Sequence, residues 1–292
     1  MSEYLQYNWV YYRIYPGTLS KLDSGVEKII TPAKAFAQKH FQLNQWFFIR
    51  YMDTTGAHLR LRFHVRKIDL KDFLGKMNEI LKEGLQEISE NEPVSLKRLV
   101  PYYSGEQVTK PKIEQDLYEP ELKKYINRKY LNISEALFES SSELVCSVCS
   151  ELNRGEINRY ELGSLIMGSV FKSIGLQYGK LQAFLQNYFN YWSGSEKTSY
   201  QLIKIAQQKK DIMESILSQD IHQYGNDEKI FNYIYKLKTT LVEVNKELGE
   251  ESFNHLLFHY THMMNNRLGI WPIEEAYLSA LMLRISQDVP AQ

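Results

Sequence analysis

The stretch QWFFIRYMDTTGAHLRLRFHV, residues 45–65, decides the fold. QWFFIRYMD is dense in aromatic and branched side chains, which favour extended backbone. TTGA turns the chain, and HLRLRFHV returns with strict alternation, so the stretch reads as an antiparallel hairpin. On the returning strand Leu59, Leu61, Phe63 and Val65 point one way, toward helices, while His58, Arg60, Arg62 and His64 point the other. On the outgoing strand Arg50 shares a face with Trp46 and Phe48. Several arginines on one sheet face repel one another unless something neutralises them. A solvated face with carboxylate partners would do so. The use of Arg throughout, never Lys, also suits a clamp for a carboxylate or phosphate, because only guanidinium offers the planar fork.

Working outward, NWVYYRIYPG alternates, with Val10, Tyr12 and Ile14 on one side and Trp9, Tyr11, Arg13 and Tyr15 on the other, and Pro16-Gly17 ends it. Thr31-Pro32 reads as an N-cap followed by Pro at the first helical position. After the hairpin, Leu70, Phe73, Leu74, Met77, Ile80, Leu81 and Leu85 form a helical stripe. LKRLVPYYSG, residues 96–105, reads as a fourth strand. The order β-α-β-β-α-β is that of a ferredoxin-like unit. From Leu117 onward the patterns are helical, over residues 132–153, 159–175, 179–193, 200–221, 227–249, 252–268 and 272–287, with Asn132 and Ser252 as caps and Pro272 opening the last. The expected fold class is therefore α+β: a ferredoxin-like antiparallel sheet in residues 1–116 packed against a helical bundle in residues 117–292, as one integrated unit.

Composition sets the outer limits. Lys plus Arg equals Asp plus Glu, 35 each among 292 residues, so any anion site must be local, and no direct binding to nucleic acid or an anionic membrane is expected. No apolar run reaches membrane-spanning length and no signal pattern opens the chain, so the expected location is cytoplasmic. Tyrosine is abundant, 21 residues against 13 Phe and 4 Trp, which supplies ring area with a hydroxyl. Cys146 and Cys149 are spaced as CxxC within a helical pattern and lack the other half of a zinc site, so they read as small core or interface side chains.

A second constellation is SFNHLLFHYTHMMNNRLGIWP. His255, His259 and His262 fall on one helical stripe, but the third lies two turns from the first, too far for all three to share one ion, and no HExxH is present. No metal is expected. His255 and His259 read as packed core or interface side chains, and His262 as the candidate acid/base group. A third segment, DLYEPELKKY, places Tyr118, Glu119 and Glu121 at a charged helix start, where a clamp is also open. Gly-rich phosphate loops and GxSxG elbows are absent, which argues against the common nucleotide enzymes and hydrolases.

Taken together, WFFIRYMDTTGAHLRLRF, YEPELKKY, SEALFESSSELV and HMMNNRLG resemble the C-terminal elimination domain of class I lanthipeptide dehydratases, and more closely the stand-alone thiopeptide-type bacteriocin biosynthesis proteins. The resemblance spans nearly the whole chain and implies biosynthesis of ribosomally made, modified peptides. In that family a glutamyl-tRNA-dependent partner enzyme esterifies Ser or Thr of a precursor peptide carrying a leader. The elimination domain, in this case the eliminase of a split dehydratase, then removes glutamate to leave dehydroalanine or dehydrobutyrine, a lyase reaction. Two alternatives stand beside it: a pyridine synthase, joining two dehydroalanines in a formal [4+2] cycloaddition with leader expulsion, and a non-catalytic subunit that docks the precursor. The resemblance implies no metal or organic cofactor, and leaves a homodimer open. It implies catalytic roles for His262, Arg60 and Arg62, with Arg50 beside them, and substrate contacts from His58, Tyr118, Glu121 and Lys124. Asn266 and Arg267 either line the same pocket or cap and pack their helix end. The family pattern carries an arginine where this chain has Lys124, which keeps the charge but loses the fork.

Overall fold

The computed structural model describes residues 6–90, 108–207 and 227–287. The chain divides into two compact units, Met1–Glu156 and Ile157–Gln292. The first holds β1 (Tyr7–Tyr15), α1 (Leu22–Gly25), α2 (Thr31–His40), β2 (Leu43–Asp53), β3 (Gly56–Arg66), α3 (Leu70–Glu90), β4 (Lys112–Asp116) and α4 (Arg128–Arg154). Its four strands form one sheet in the order β2-β3-β1-β4, every neighbouring pair antiparallel. The fourth strand is KIEQD; the stretch expected to supply it, residues 96–105, lies outside the described residues. Helix α4 belongs to this unit, so the segment beyond residue 116 begins with a helix held by the sheet.

The register of β3 sorts its side chains. Leu59, Leu61, Phe63 and Val65 are fully buried and share a face with Tyr12, Ile14, Trp46 and Phe48. Helices cover that face. Phe73 of α3 meets Phe63 edge to face at 5.3 Å. A Cβ at Gly25 of α1 would lie 2.7 Å from Leu59 Cδ1, so a larger residue there would require the Leu59 side chain to shift. Of the expected α3 stripe, Phe73, Met77, Leu81 and Leu85 are buried.

Two helix starts differ from expectation. Thr31 is not an N-cap, because Ile30 before it is already helical (φ −64°, ψ −49°) and the Thr31 hydroxyl donates to the Val26 carbonyl at 3.0 Å. A π turn over Val26–Ile30 links α1 to α2. It widens the helix just before Pro32, whose ring would otherwise crowd the preceding turn. Helix α4 begins earlier than expected: its cap is Asn127, whose side chain accepts from Tyr130 N at 3.1 Å, and Asn132 lies inside the helix.

The serine-rich part of α4 runs along the edge strand β2. Ser142 Oγ accepts from Phe48 N at 3.2 Å, and Glu143 accepts from Trp46 Nε1 at 2.8 Å while pairing with Lys34 at 2.7 Å. Small side chains let the helix close over an edge that would otherwise present unpaired amides. Cys146 and Cys149 are buried free thiols on α4; burial pushes Cys146 up to about 12 and also raises Cys149, which makes both poor nucleophiles.

The second unit is helical: α5 (Arg159–Ser173), α6 (Tyr178–Trp192), α7 (Glu196–Gln207), α8 (Asp227–Leu268) and α9 (Pro272–Gln287). Asn158 caps α5, accepting from Tyr160 N at 2.9 Å. The two helices expected over residues 227–268 are one run divided by Gly249, whose φ of 82° leaves the helical region. Among the described residues no helix is long and apolar enough to cross a membrane.

Arg50 shows what the helix-covered face demands. It pairs in register with Leu59, is 3% exposed, and its guanidinium meets Asp23 at 2.7 Å. Asp23→Ala leaves a buried cation without its carboxylate and is expected to cost about 3–5 kcal/mol. Asp23→Leu with Arg50→Met should recover most of that loss. Urea unfolding of the two variants measures both.

Candidate functional site

The opposite face of the sheet carries the candidate anion site. Arg13, Arg60 and Arg62 all lie on it: Arg13 is in register with Arg60, and Tyr11 and Phe47 flank Arg62 on either side. Arg50 does not join them. It was expected beside Arg60 and Arg62, but its register position turns it to the other face, where Asp23 holds it.

Each arginine on the shared face is satisfied differently. Arg13 pairs with Asp116 of β4. Arg60 lies 3.4 Å above the centre of the Tyr51 ring, reaches Asp53 at 3.8 Å, and donates from Nε to His58 Nε2 at 3.1 Å. That bond assigns the His58 proton to Nδ1, which lies 3.0 Å from the Gly56 carbonyl. Burial holds His58 below its usual pKa and keeps it neutral beside Arg60.

Arg62 is the exception. It is 7% exposed, and its guanidinium is ringed by Tyr11, Tyr118 and Phe47 at 4.5, 4.9 and 5.1 Å from their ring centres. Among the described residues it has no ion pair and no hydrogen-bond partner, and its buried Nε finds no acceptor. Burial lowers its pKa, yet a guanidinium stays charged. Ring faces favour a cation but accept no strong hydrogen bonds. The cluster is thus a cage for a charge that no carboxylate of the described residues pairs directly, although Glu121 and Glu135 favour it from a distance.

Tyr118 closes the cage and is itself fixed, donating to Glu135 at 2.7 Å. Burial raises the Glu135 carboxyl above its usual range, with the Tyr118 bond opposing that shift. Glu135 was not among the expected site residues; it sits in the SEALFESSSELV segment, with no local pattern to mark it. Glu121 and Lys124 pair with each other at 3.4 Å, with Glu121 largely exposed; the Glu121 charge favours the Arg62 cation without forming an ion pair.

His64 completes this face. It stacks on Trp9 at 4.6 Å with the rings 10° apart, and its Nδ1 lies 2.8 Å from Asn44 Nδ2. Burial pushes its pKa down to about 4.

In the second unit, His262 sits on α8 with its Nδ1 2.8 Å from Glu275 Oε1. Glu275 is fully buried on the first turn of α9 and also accepts from the Tyr188 hydroxyl and, at 3.2 Å, from Asn265 Nδ2. A carboxylate oxygen only accepts, so a hydrogen bond between it and Nδ1 places a ring proton on that nitrogen. The neutral imidazole then offers Nε2 as the basic atom. Trp192 stacks on the ring at 4.5 Å and sets its plane. This is the geometry of an oriented general base.

Glu275 also escaped the sequence reading. The WPIEEA segment marks a helix start, and Glu274 fulfils it by accepting from Trp271 N at 3.0 Å. The next position, turned about 100° around the helix, carries the carboxylate that meets His262. Arg267 is fully buried and donates to the Met263 carbonyl of its own helix at 2.8 Å, and Asn266 is partly exposed. His255 and His259 are not core side chains: His255 is exposed, His259 is half-buried, and both line an open cavity. Among the described residues no three His, Cys, Asp or Glu side chains group as a metal site.

The sequence profile of the family described as lantibiotic biosynthesis dehydratase C-term matches residues 9–285. The chain belongs to this family. Among solved structures it is similar to the tRNA-dependent lantibiotic dehydratase MibB from Microbispora sp. 107891, at 17% identity and a TM-score of 0.63, over 94% of this chain and 27% of MibB. It therefore spans about a quarter of that enzyme's length. It is also similar to TbtD, the pyridine synthase from thiomuracin biosynthesis (14% identity, TM-score 0.68, 96% of this chain and 98% of TbtD). TsrL is a third such structure (12%, 0.64, 98% and 96%). No curated protein matches. This chain thus shares its fold with part of a lantibiotic dehydratase and with a pyridine synthase.

Two measurements test the geometry. An unfolded chain protonates His64 near pH 6.5 and the folded chain near about 4, so stability present above that window is lost as pH falls through it. His64→Phe keeps the stack and should flatten that part of the pH-dependence of urea unfolding. Glu275→Gln should shift the His262 proton from Nδ1 toward a mixture of tautomers, read from the ring nitrogen shifts of ¹⁵N-histidine-labelled protein. An unchanged spectrum would mean that Glu275 does not set the His262 tautomer.

Proposed function

We propose that this chain eliminates glutamate from glutamylated Ser and Thr residues of a ribosomally made precursor peptide, giving dehydroalanine and dehydrobutyrine. The observation that carries this reading is Arg62: a buried, ring-caged guanidinium without a carboxylate partner among the described residues. A glutamyl ester brings a free carboxylate of its own, and a planar fork can take it in two parallel hydrogen bonds. Family membership supports the reaction class. The glutamylating step belongs to a glutamyl-tRNA-dependent partner enzyme.

The proposed chemistry gives each cluster its own role. His262 Nε2 takes the Cα proton of the esterified residue. The electron pair develops as an enolate and then forms the Cα–Cβ double bond as the Cβ–O bond breaks and glutamate departs as a carboxylate. Arg62 is assigned to the free carboxylate of the glutamyl group, and a cation fixed beforehand in a water-poor site is worth more than one recruited from solvent. Arg60, held by Tyr51, Asp53 and His58, supports the same field. The β2-β3-β1-β4 order, with helices between β1 and β2 and between β3 and β4, supports reading the first unit as a ferredoxin-like sheet.

One observation favours a second reading. Lys124 stands where the dehydratase pattern has arginine, and it is paired with Glu121. A chain that has given up that fork suits a substrate without a glutamyl group, as in formal [4+2] joining of two dehydroalanines with release of the leader.

The test is direct. Purified protein incubated with a glutamylated Ser peptide should release free glutamate and leave a peptide one water lighter than the unmodified one. Arg62→Ala should lower the rate about a hundredfold or more, and His262→Ala by about 10²–10⁴-fold. Absence of glutamate release from glutamylated precursors overturns the proposal. Consumption of two dehydroalanines with leader release establishes the second reading. Full pathway output from both variants would leave only a precursor-docking role.

A further inference from the structure

We propose that the cavity between α6 and the second half of α8 is a subsite for an uncharged, bulky side chain of the peptide substrate, two positions from the reacting residue. The proposal rests on His262 as the proton-transfer group. The cavity has a volume of about 420 Å³, and the rings of Phe184, Phe258 and Tyr191 form its apolar part. Tyr191 is 67% exposed, so an aromatic surface stands open to solvent there. Asn187 and Asn254 also line it, and a carboxamide both donates and accepts, which matches the alternating groups of a peptide backbone. Of the lining's lysine and carboxylate, Lys180 and Glu250 pair with each other at 2.7 Å, and His255 and His259 complete the wall, so neither the lysine nor the carboxylate calls for a charged ligand.

Continuity with the reacting centre sets the register. Phe258 lies nearly parallel to Trp192, 21° apart at 6.0 Å, and Trp192 in turn stacks on His262 at 4.5 Å. Phe258 and His262 are one turn apart on the same face of α8, a rise of about 6 Å. An extended peptide advances about 3.3 Å per residue. A residue reacting at His262 therefore brings the side chain two positions along it over Phe258. Alternation along an extended chain also places that side chain on the same side as the reacting one.

Fluorescein-labelled heptapeptides with a central Ser and Phe, Leu, Gly, Lys or Glu two positions before or after it are the probes, with fluorescence anisotropy against the full chain as readout. Phe and Leu peptides, in one of the two directions, should bind about tenfold tighter than the Gly peptide. Lys and Glu peptides should gain nothing over Gly. Ala183 lines the cavity and is exposed, so Ala183→Trp fills the space without entering the core. It should erase the preference at an unchanged melting temperature, with Ala183→Leu as the milder variant if the Trp form melts early. Equal binding of Phe and Gly peptides, tighter binding of Lys or Glu peptides, or a preference that survives both fillings overturns the proposal. Glutamate release plays no part in the readout, so failure of the elimination reaction and failure of this subsite are separate results.

Discussion

Strand β3 is central in its sheet, paired on both edges, and its side chains must therefore serve two environments in strict alternation. This period of two is the constraint from which the first unit follows. One set, Leu59 to Val65, has to be covered, and α1 and α3 cover it. The other set places His58, Arg60, Arg62 and His64 in a row that no slip of register can relocate, because a one-residue shift would bury all four under the helices. The candidate site's face is thus fixed by the same pairing that builds the core.

Four arginines on three adjacent strands show how environment divides one residue type into separate tasks. Arg50 faces the helices and is a structural cation locked to Asp23. Arg13 is neutralised across the sheet by Asp116, and Arg60 is shared between Asp53, His58 and a ring. Arg62 has only rings in direct contact among the described residues, with the Glu121 and Glu135 charges acting on it from a distance. A buried cation that no carboxylate contacts is costly in isolation, and a ligand bringing its own carboxylate would relieve that cost.

Much of this was legible in the sequence, and the misses have physical causes. The hairpin, the strand alternation, the α3 stripe and the last helix opening at Pro272 are all set by local periodicity or local stereochemistry, and the structure has them where the pattern puts them. The Thr31-Pro32 cap failed because a π turn lets a helix continue through a proline, and no short motif announces it. Arg50 was grouped with Arg60 and Arg62 by charge, although its own alternation with Trp46 and Phe48 already placed it on the apolar face. Glu135 and Glu275 were invisible for a different reason. Their neighbours in sequence are not their neighbours in space, and a buried carboxylate is defined by the donors that reach it from other helices.

Those donors explain the abundance of tyrosine better than composition could. In the first unit tyrosine offers its ring: Tyr11 and Tyr118 enclose Arg62, and Tyr51 supports Arg60. In the second it offers its hydroxyl: Tyr188 reaches Glu275, and Tyr160 reaches Glu274 at 2.6 Å. Tyr118 does both, with its face to the guanidinium and its hydroxyl on Glu135. A phenylalanine could enclose the cation but could not fix itself to a carboxylate, and a serine could reach the carboxylate but not enclose the cation. Tyrosine is the neutral side chain that holds both a cation and an anion in place without neutralising either, which is what a site needs if its charges are to stay available to a substrate.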